Sequence, residues 1–131
     1  LTQQEYYTKA DVWPLAPDGE ILVIIQIEDT AGIQNLPDML KNVPGIGAIL
    51  IGEGDLGQEL GHPRQYDHPV LREHIAEIVA ICREHDVVVG HPHADAGNMQ
   101  RIIDEGFRLI MPGPVRSYAG LEKGLELSGR A

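Results

Sequence analysis

The chain has 131 residues, of which 43% are hydrophobic, and a formal net charge of −10, from 10 Lys and Arg against 20 Asp and Glu. This length and composition predict one globular domain over residues 1–131, and the acidic balance argues against a nucleic-acid or anionic-membrane partner. Apolar runs such as Ile21–Ile25 are no longer than five residues, far short of the roughly 20 residues of a membrane helix.

Strand and helix signals begin to alternate after a short lead-in. Residues 1–11 predict a short helix, and Pro17-Asp18-Gly19 predicts a turn. The β-branched run Ile21–Glu28 predicts a strand that is covered on both faces. A helix then starts at Thr30, its expected cap, and stops at Pro44-Gly45.

Three further strand–helix pairs follow. Apolar runs predict strands at Ile46–Gly52, Val87–Gly90 and Phe107–Met111. Helical periodicity predicts helices at Pro69–His85, at Asp95–Glu105 and from about Ser117 onward. The segment Leu56–His68, rich in Gly and Pro, predicts a loop. Strands that alternate with helices predict an α/β fold with a parallel sheet. Four such units fit a small open doubly wound sheet or one half of a (β/α)8 barrel, which typically takes roughly 250 residues.

Two acidic residues follow two of the predicted strands. Glu28 ends the run that starts at Ile21, and Asp55 comes just after the run that ends at Gly52. Neighbouring parallel strands lie about 4.8 Å apart and ligands bind at their carboxyl ends, so the two carboxylates could share one hard cation. Mg²⁺ or Mn²⁺ typically takes one or two protein carboxylates and fills its octahedron with water and substrate oxygens. The alternative is that Asp55 caps a turn and Glu28 meets a basic neighbour.

The segment around Asp55 is also a candidate anion site. Gly52, Glu53, Gly54, Asp55 and Leu56 place two glycines around one acid, and glycine lets the backbone approach a ligand without a Cβ in the way. Exposed N–H groups in a turn after a strand form a nest for anions such as a carboxylate. A tight turn that merely needs glycine would have the same sequence.

Further polar residues fall in loops at the same predicted edge of the sheet. His91 and His93 follow the third strand, where a ligand or acid–base role competes with simple exposure of a His-Pro-His loop. Arg64, in the loop before the second helix of the alternating part, could contact an anionic substrate or a neighbouring subunit. Gly113 and Ser117 could touch a ligand after the fourth strand. For the loop of Arg64 and the loop of Gly113 and Ser117, the alternative is an ordinary loop that contacts no ligand.

The chain carries few other signs of catalysis. Its single cysteine, Cys82, permits no internal disulfide, which suits a reducing, cytoplasmic compartment. Cys82 lies on the apolar face of the helix predicted over Pro69–His85, which favours a buried, inert thiol over a nucleophile. The sequence shows no Ser-His-Asp elbow, P-loop or cysteine pair for zinc.

Three motifs resemble those of one enzyme family. The segments Ile27–Gly32, Ile51–Leu56 and Gly61–Tyr66 occur in that order, with the first two about one strand–helix unit apart. In these segments the chain resembles the HpcH/HpaI aldolases, metal-dependent class II pyruvate aldolases that include 4-hydroxy-2-oxoheptanedioate aldolase. The resemblance runs from about Ala10 to the C-terminus. It implies the C-terminal half of a TIM (β/α)8 barrel.

The resemblance implies a metal-dependent carbon–carbon lyase. It assigns Glu28 and Asp55 to a divalent metal, Mg²⁺ or Mn²⁺ with Co²⁺ also possible, and the amides of Gly54 and Asp55 to the carboxylate of an α-keto acid. The metal would act as a Lewis acid that stabilises a pyruvate enolate, which adds to an aldehyde or forms when a 4-hydroxy-2-oxo acid is cleaved. The family's oligomers imply a homo-oligomer, with the final helix, from about Ser117, packed on a neighbouring subunit.

The chain departs from the family in residues and in extent. Many members have Pro and a small residue where Glu53 and Gly54 stand, and Ser where Gly57 stands. The family's catalytic His and Arg come from early strands and have no counterpart here, so the catalytic residues are unassigned and the N-terminal half of the barrel is expected to be missing. Two alternatives stay open. One is a non-catalytic half-barrel that binds ligands or assembles with a partner, and the other is a related lyase acting on an acyl-CoA thioester.

Overall fold

The computed structural model describes residues 11–112 and 118–130, together with Thr2 and Glu5. The strands are β1 (Val12–Trp13), β2 (Ile21–Leu22), β3 (Ile24–Ile27), β4 (Ala48–Ile51), β5 (Val88–Ala94) and β6 (Leu109–Pro112). The helices are α1 (Thr30–Asn42), α2 (Glu53–Glu59), α3 (Pro69–Glu84), α4 (Met99–Glu105) and α5 (Ala119–Leu127). Most of the helix predicted over residues 1–11 lies outside the described residues, as do Gly113 and Ser117 with their predicted ligand contacts.

Strands β3, β4, β5 and β6 form one parallel sheet in the order of the sequence. Ile27 pairs with Ile51, Leu50 with Gly90, and Gly90 with Leu109. Parallel neighbours need a crossover, and helices supply each one: α1 between β3 and β4, α2 and α3 between β4 and β5, and α4 between β5 and β6. The predicted α/β fold of parallel strand–helix units is therefore confirmed, and the carboxyl ends of all four strands meet at one edge.

The strand predicted over Ile21–Glu28 is wrong in its extent because it breaks at Val23. The Val23 carbonyl accepts hydrogen bonds from the amides of Gly47 and Ala48 at 3.0 and 3.2 Å, whereas β2 pairs with β1 in a separate two-stranded sheet. The run is also not covered on both faces within the described structure, since Ile24 is 41% exposed. Only one face of this edge strand therefore packs against helices.

Asp29, rather than the predicted Thr30, caps α1. The Asp29 Oδ1 atom accepts a hydrogen bond from the Gly32 amide at 2.5 Å. Thr30 is instead the first helical residue, and its amide and its hydroxyl each donate to the Glu59 carboxylate at 2.8 Å. This pair of contacts ties the start of α1 to the end of α2.

The loop predicted over Leu56–His68 is shorter than expected because α2 occupies its first part. Helix α3 begins where predicted, with His68 Nδ1 accepting from the Val70 amide at 3.3 Å. Strand β5 does not end at Gly90 but continues to Ala94. Both differences lie at the carboxyl edge of the sheet, where the candidate site is found.

The core lies between the sheet and the helices. Its fully buried members include Leu36, Ile49, Ile51, Leu71, Ile75, Ile78, Cys82, Ile102 and Phe107. Burial raises the pKa of the Cys82 thiol to about 12, so Cys82 stays protonated at neutral pH, which confirms the expectation of an inert thiol. Across the described ranges, no helix combines the length and the apolar character needed to cross a membrane.

Candidate metal and substrate site

Gly52 joins the carboxyl end of β4 to α2 directly beside Glu28. The Gly52 amide donates to the Ile27 carbonyl at 2.7 Å, so the pairing of β3 with β4 extends to this residue. A Cβ atom on Gly52 would lie 2.4 Å from the Glu28 Cβ and 3.1 Å from Glu28 Oε2. Glycine is therefore required by close approach, and it brings Glu28 next to the start of α2.

The Glu28 carboxylate is exposed and is held from one side. Gln26 Nε2 donates to Glu28 Oε2 at 2.6 Å, and strand alternation puts both side chains on the face opposite the buried Ile27. Asp55 lies in the first turn of α2 and is also exposed. Within residues 11–112 and 118–130, Asp55 makes no side-chain hydrogen bond or ion pair.

Glu28 and Asp55 face one open cleft of about 540 Å³, lined also by Asp29, Gln58 and Glu59. Asp29 caps α1, and Glu59 holds the start of the same helix. Glu28 and Asp55 are thus the two carboxylates of the cleft that accept no hydrogen bond from a backbone amide of residues 11–112 or 118–130. The structure brings the two residues that the sequence predicts as metal ligands to a single cleft.

This donor set fits a hard divalent cation. Mg²⁺ and Mn²⁺ prefer oxygen ligands and commonly take one or two protein carboxylates, with water and substrate oxygens completing the octahedron. In the part of the chain that the structure describes, no three or more His, Cys, Asp or Glu side chains group as ligands around one ion. Glu28 and Asp55 therefore offer two carboxylate ligands. Structural zinc instead prefers four His and Cys ligands that leave no open position.

The predicted anion nest is the first turn of a helix rather than a loop turn. The amides of Glu53, Gly54 and Asp55 have no acceptor within α2, because the first amides of any helix lack one. The Leu56 amide donates to the Gly52 carbonyl at 3.0 Å, and the Leu56 side chain is fully buried. Of the five residues predicted to bind substrate, Gly52 and Leu56 therefore use their amides within the fold. The amides of the other three have no acceptor among the described residues.

Three side chains that the sequence did not connect meet beside this turn. Glu53 is 3% exposed, with Oε1 2.6 Å from His93 Nδ1 and Oε2 3.8 Å from His91 Nε2. His91 is buried, and its ring packs edge-on against Phe107 with centroids 5.0 Å apart. Burial lowers the pKa of His91, although the charge of Glu53 opposes this shift. Burial therefore favours the neutral form of the His91 ring.

Simple exposure of a His-Pro-His loop is wrong for His91. Strand β5 continues through this segment, and alternation places His91 on the buried side with Val89. That alternation is visible in the sequence, but it indicates burial only if the strand runs past Gly90. His93 keeps a side chain that is 54% exposed, so it joins the buried Glu53 to the surface.

Arg64 does not line the cleft of Glu28 and Asp55. It is exposed in the loop before α3, and its backbone is left-handed, with a φ of 62°. Its contact with an anionic substrate or with a neighbouring subunit stays a prediction.

In TIM-barrel enzymes the active site lies at the carboxyl ends of the strands. The acidic cleft of this half-barrel lies at the same edge of its sheet. The family model of the HpcH/HpaI aldolase/citrate lyases matches residues 8–114. The chain belongs to this family, which confirms the resemblance drawn from its motifs.

Two relatives of the chain are aldolases by name. The chain is 28% identical to the hydroxypyruvate/pyruvate aldolase of Paraburkholderia phytofirmans, over 71% of this chain and 35% of that protein. It is 26% identical to the 4-hydroxy-2-oxo-heptane-1,7-dioate aldolase of Escherichia coli, over 80% of this chain and 42% of that protein. The chain thus spans less than half the length of these relatives.

Solved structures show the same fold. A HpcH/HpaI aldolase/citrate lyase family protein from Burkholderia cenocepacia superposes with a TM-score of 0.69 at 22% identity, over 98% of this chain and 45% of that one. The HpcH/HpaI aldolase from Desulfitobacterium hafniense superposes with a TM-score of 0.66 at 25% identity, over 86% of this chain and 42% of that one. These neighbours have TIM-barrel-like folds, and this chain corresponds to one half of such a barrel.

Proposed function

We propose that this chain supplies the metal- and keto-acid-binding half of a divalent-metal-dependent aldolase. The reaction makes or cleaves 4-hydroxy-2-oxo acids through a pyruvate enolate, and its small-molecule substrates are an α-keto acid and an aldehyde. The active enzyme would be a homo-oligomer. The observation that supports it is the joint exposure of Glu28 and Asp55 in one cleft beside unpaired amides. The names of the relatives, aldolases for pyruvate and for a 4-hydroxy-2-oxo diacid, favour the same substrate class.

Each residue of the site has a distinct part in this proposal. Glu28 and Asp55 would hold the cation, for which Mg²⁺, Mn²⁺ or Co²⁺ suits the oxygen donors, and Gln26 orients the Glu28 carboxylate. A divalent cation there supplies Lewis-acid stabilisation of negative charge on a substrate oxygen. The amides of Gly54 and Asp55 would donate to the substrate carboxylate, and a Cβ on Gly54 would meet no atom within 4 Å. The chain thus binds and orients the keto acid.

Exchange of the pyruvate methyl protons with deuterated water, followed by mass spectrometry in the presence of Mn²⁺, tests the proposal. Glu28→Gln and Asp55→Asn should each slow the exchange about 100-fold, because losing several kcal/mol of charge stabilisation costs that much in rate. Glu73→Gln removes the same charge from the exposed side of α3 and should leave the rate unchanged. Exchange by the wild type that is no faster than that of Glu28→Gln would overturn the aldolase proposal.

A non-catalytic binding or assembly module is the second candidate. The described sheet favours it, since β3 and β6 are the edges of a four-stranded sheet that does not close on itself. This candidate predicts that Mn²⁺ binds in a Glu28-dependent way, measured by electron paramagnetic resonance, but that no proton exchange follows. A lyase for acyl-CoA thioesters is disfavoured by the net charge of −10, because the CoA phosphates need a basic surface.

A further inference from the structure

The first turn of α2 is held by contacts other than a helix cap. Gly52 stands at the cap position and has no side chain that could accept from the first amides. A helix of seven residues is too short to be stable through propensity alone. Asp55 lies in this turn, so whatever fixes the turn also fixes the Asp55 carboxylate.

The Glu53 side chain holds the turn from inside the protein. It is buried, and a buried carboxylate is costly unless it is hydrogen-bonded. His93 Nδ1 lies 2.6 Å from Glu53 Oε1, close enough for a charge-assisted hydrogen bond. An ionised carboxylate can only accept, so His93 Nδ1 donates.

His91 faces the other oxygen of the same carboxylate. Its Nδ1 accepts from the His93 backbone amide at 3.2 Å, so the neutral ring carries its hydrogen on Nε2. That Nε2 is buried, lies 3.8 Å from Glu53 Oε2 and has no hydrogen-bond partner among the described residues. These three side chains are not a second metal site, because no three His, Cys, Asp or Glu side chains of the described residues group around one ion.

The histidines are themselves fixed to the sheet. Both lie on β5, which pairs with β4. Asn98 Nδ2 donates to the His93 carbonyl at 3.0 Å, and Asn98 Oδ1 accepts from the Asp95 amide at 2.7 Å. The end of β5 is therefore held in place, and Glu53 joins α2 to it.

We propose that Glu53, His91 and His93 form a clamp that positions Asp55 for metal binding, with His93 as the main positioning residue. The inference rests on the proposed function, because that function assigns Asp55 to the metal. Without the clamp the first turn of α2 moves, and the Asp55 carboxylate moves with it. Metal affinity then falls although both ligands remain, as it does when an outer-shell partner of a ligand is removed.

Two substitutions at His93 separate the hydrogen bond from the volume of the ring. His93→Leu removes the donor and should weaken Mn²⁺ binding about tenfold, measured by electron paramagnetic resonance. His93→Asn keeps a donor near the position of Nδ1 and should restore the dissociation constant to within about twofold of the wild type. Hydrogen exchange of α2, followed by mass spectrometry, should speed up in the Leu variant and not in the Asn variant. His85→Leu, at the C-cap of α3 and the opposite end of the sheet, is the matched control.

The outcomes distinguish the clamp from the metal site itself. If Glu28→Gln abolishes Mn²⁺ binding while a folded His93→Leu variant binds as the wild type does, the clamp is overturned and the metal site stands. Equal losses in the Leu and Asn variants would also overturn it, because the donor would then not matter. If the wild type binds no Mn²⁺, the proposed function and the clamp fall together.

Discussion

At Gly52 the end of β4, the start of α2 and the side chain of Glu28 meet. The contact leaves no room for a Cβ atom, since it would lie 2.4 Å from the Glu28 Cβ. Gly54, two residues later, has no such constraint, because a Cβ there would meet nothing within 4 Å. Two glycines that look alike in the sequence therefore serve different purposes, and only the packing around them shows which one the fold requires.

Substitution of these glycines by alanine should have opposite effects. Gly52→Ala should lower the free energy of unfolding by about 1–3 kcal/mol, the usual cost of overpacking, and should weaken Mn²⁺ binding because Glu28 is displaced. Gly54→Ala should stabilise the protein by up to about 1 kcal/mol through helix propensity. Urea denaturation measures both. Equal stabilities of the two variants would contradict the assignment of Gly52 as the position of close approach.

Helix α2 is the element that the sequence pattern hides. Its sequence contains Gly54 and Gly57, which lower helix propensity, and it is too short to show a period. Tertiary contacts form it nonetheless, because Leu56 is fully buried and Glu53 is paired with β5. Helix α3 was predictable because it has a clear apolar face and Pro at its first position.

The cap of α1 offers a test at the level of a single element. Asp29→Ala should lower the free energy of unfolding by about 1 kcal/mol, because the Gly32 amide loses its acceptor. Asp29→Ser keeps a capping oxygen and should stay within a few tenths of a kcal/mol of the wild type. Thermal or urea unfolding of the three proteins gives the comparison. If the Ala and Ser variants were equally stable, Asp29 would not be the cap.

The four-stranded sheet leaves apolar surface and strand edges open in the described part of the molecule. Strands β3 and β6 each have one neighbour in this sheet. Each also carries an exposed apolar side chain, Ile24 at 41% and Met111 at 45%. Unpaired edges and apolar patches of this kind favour association with another chain. We therefore expect association with another chain to cover these edges.

A preparation of this 131-residue chain should accordingly self-associate, as measured by sedimentation velocity. Ile24→Lys places a charge on the edge strand β3 and should shift the population toward monomer. Val43→Lys changes an equally exposed apolar residue at the end of α1, away from the strand edges, and should leave the distribution unchanged. A monomeric wild type, or equal effects of both variants, would contradict association through the edge of the sheet.

The sequence by itself determined the alternation of strands and helices, the parallel sheet and the positions of Glu28 and Asp55. Each of these depends on local pattern, because an apolar run that ends in an acid places that acid at the carboxyl edge of a parallel sheet. The tertiary structure alone decided that Glu53, His91 and His93 meet, since they come from α2 and β5 and approach only when β5 runs to Ala94. It likewise decided that Gly52 must be glycine, because that requirement comes from a contact between two strands rather than from the local chain.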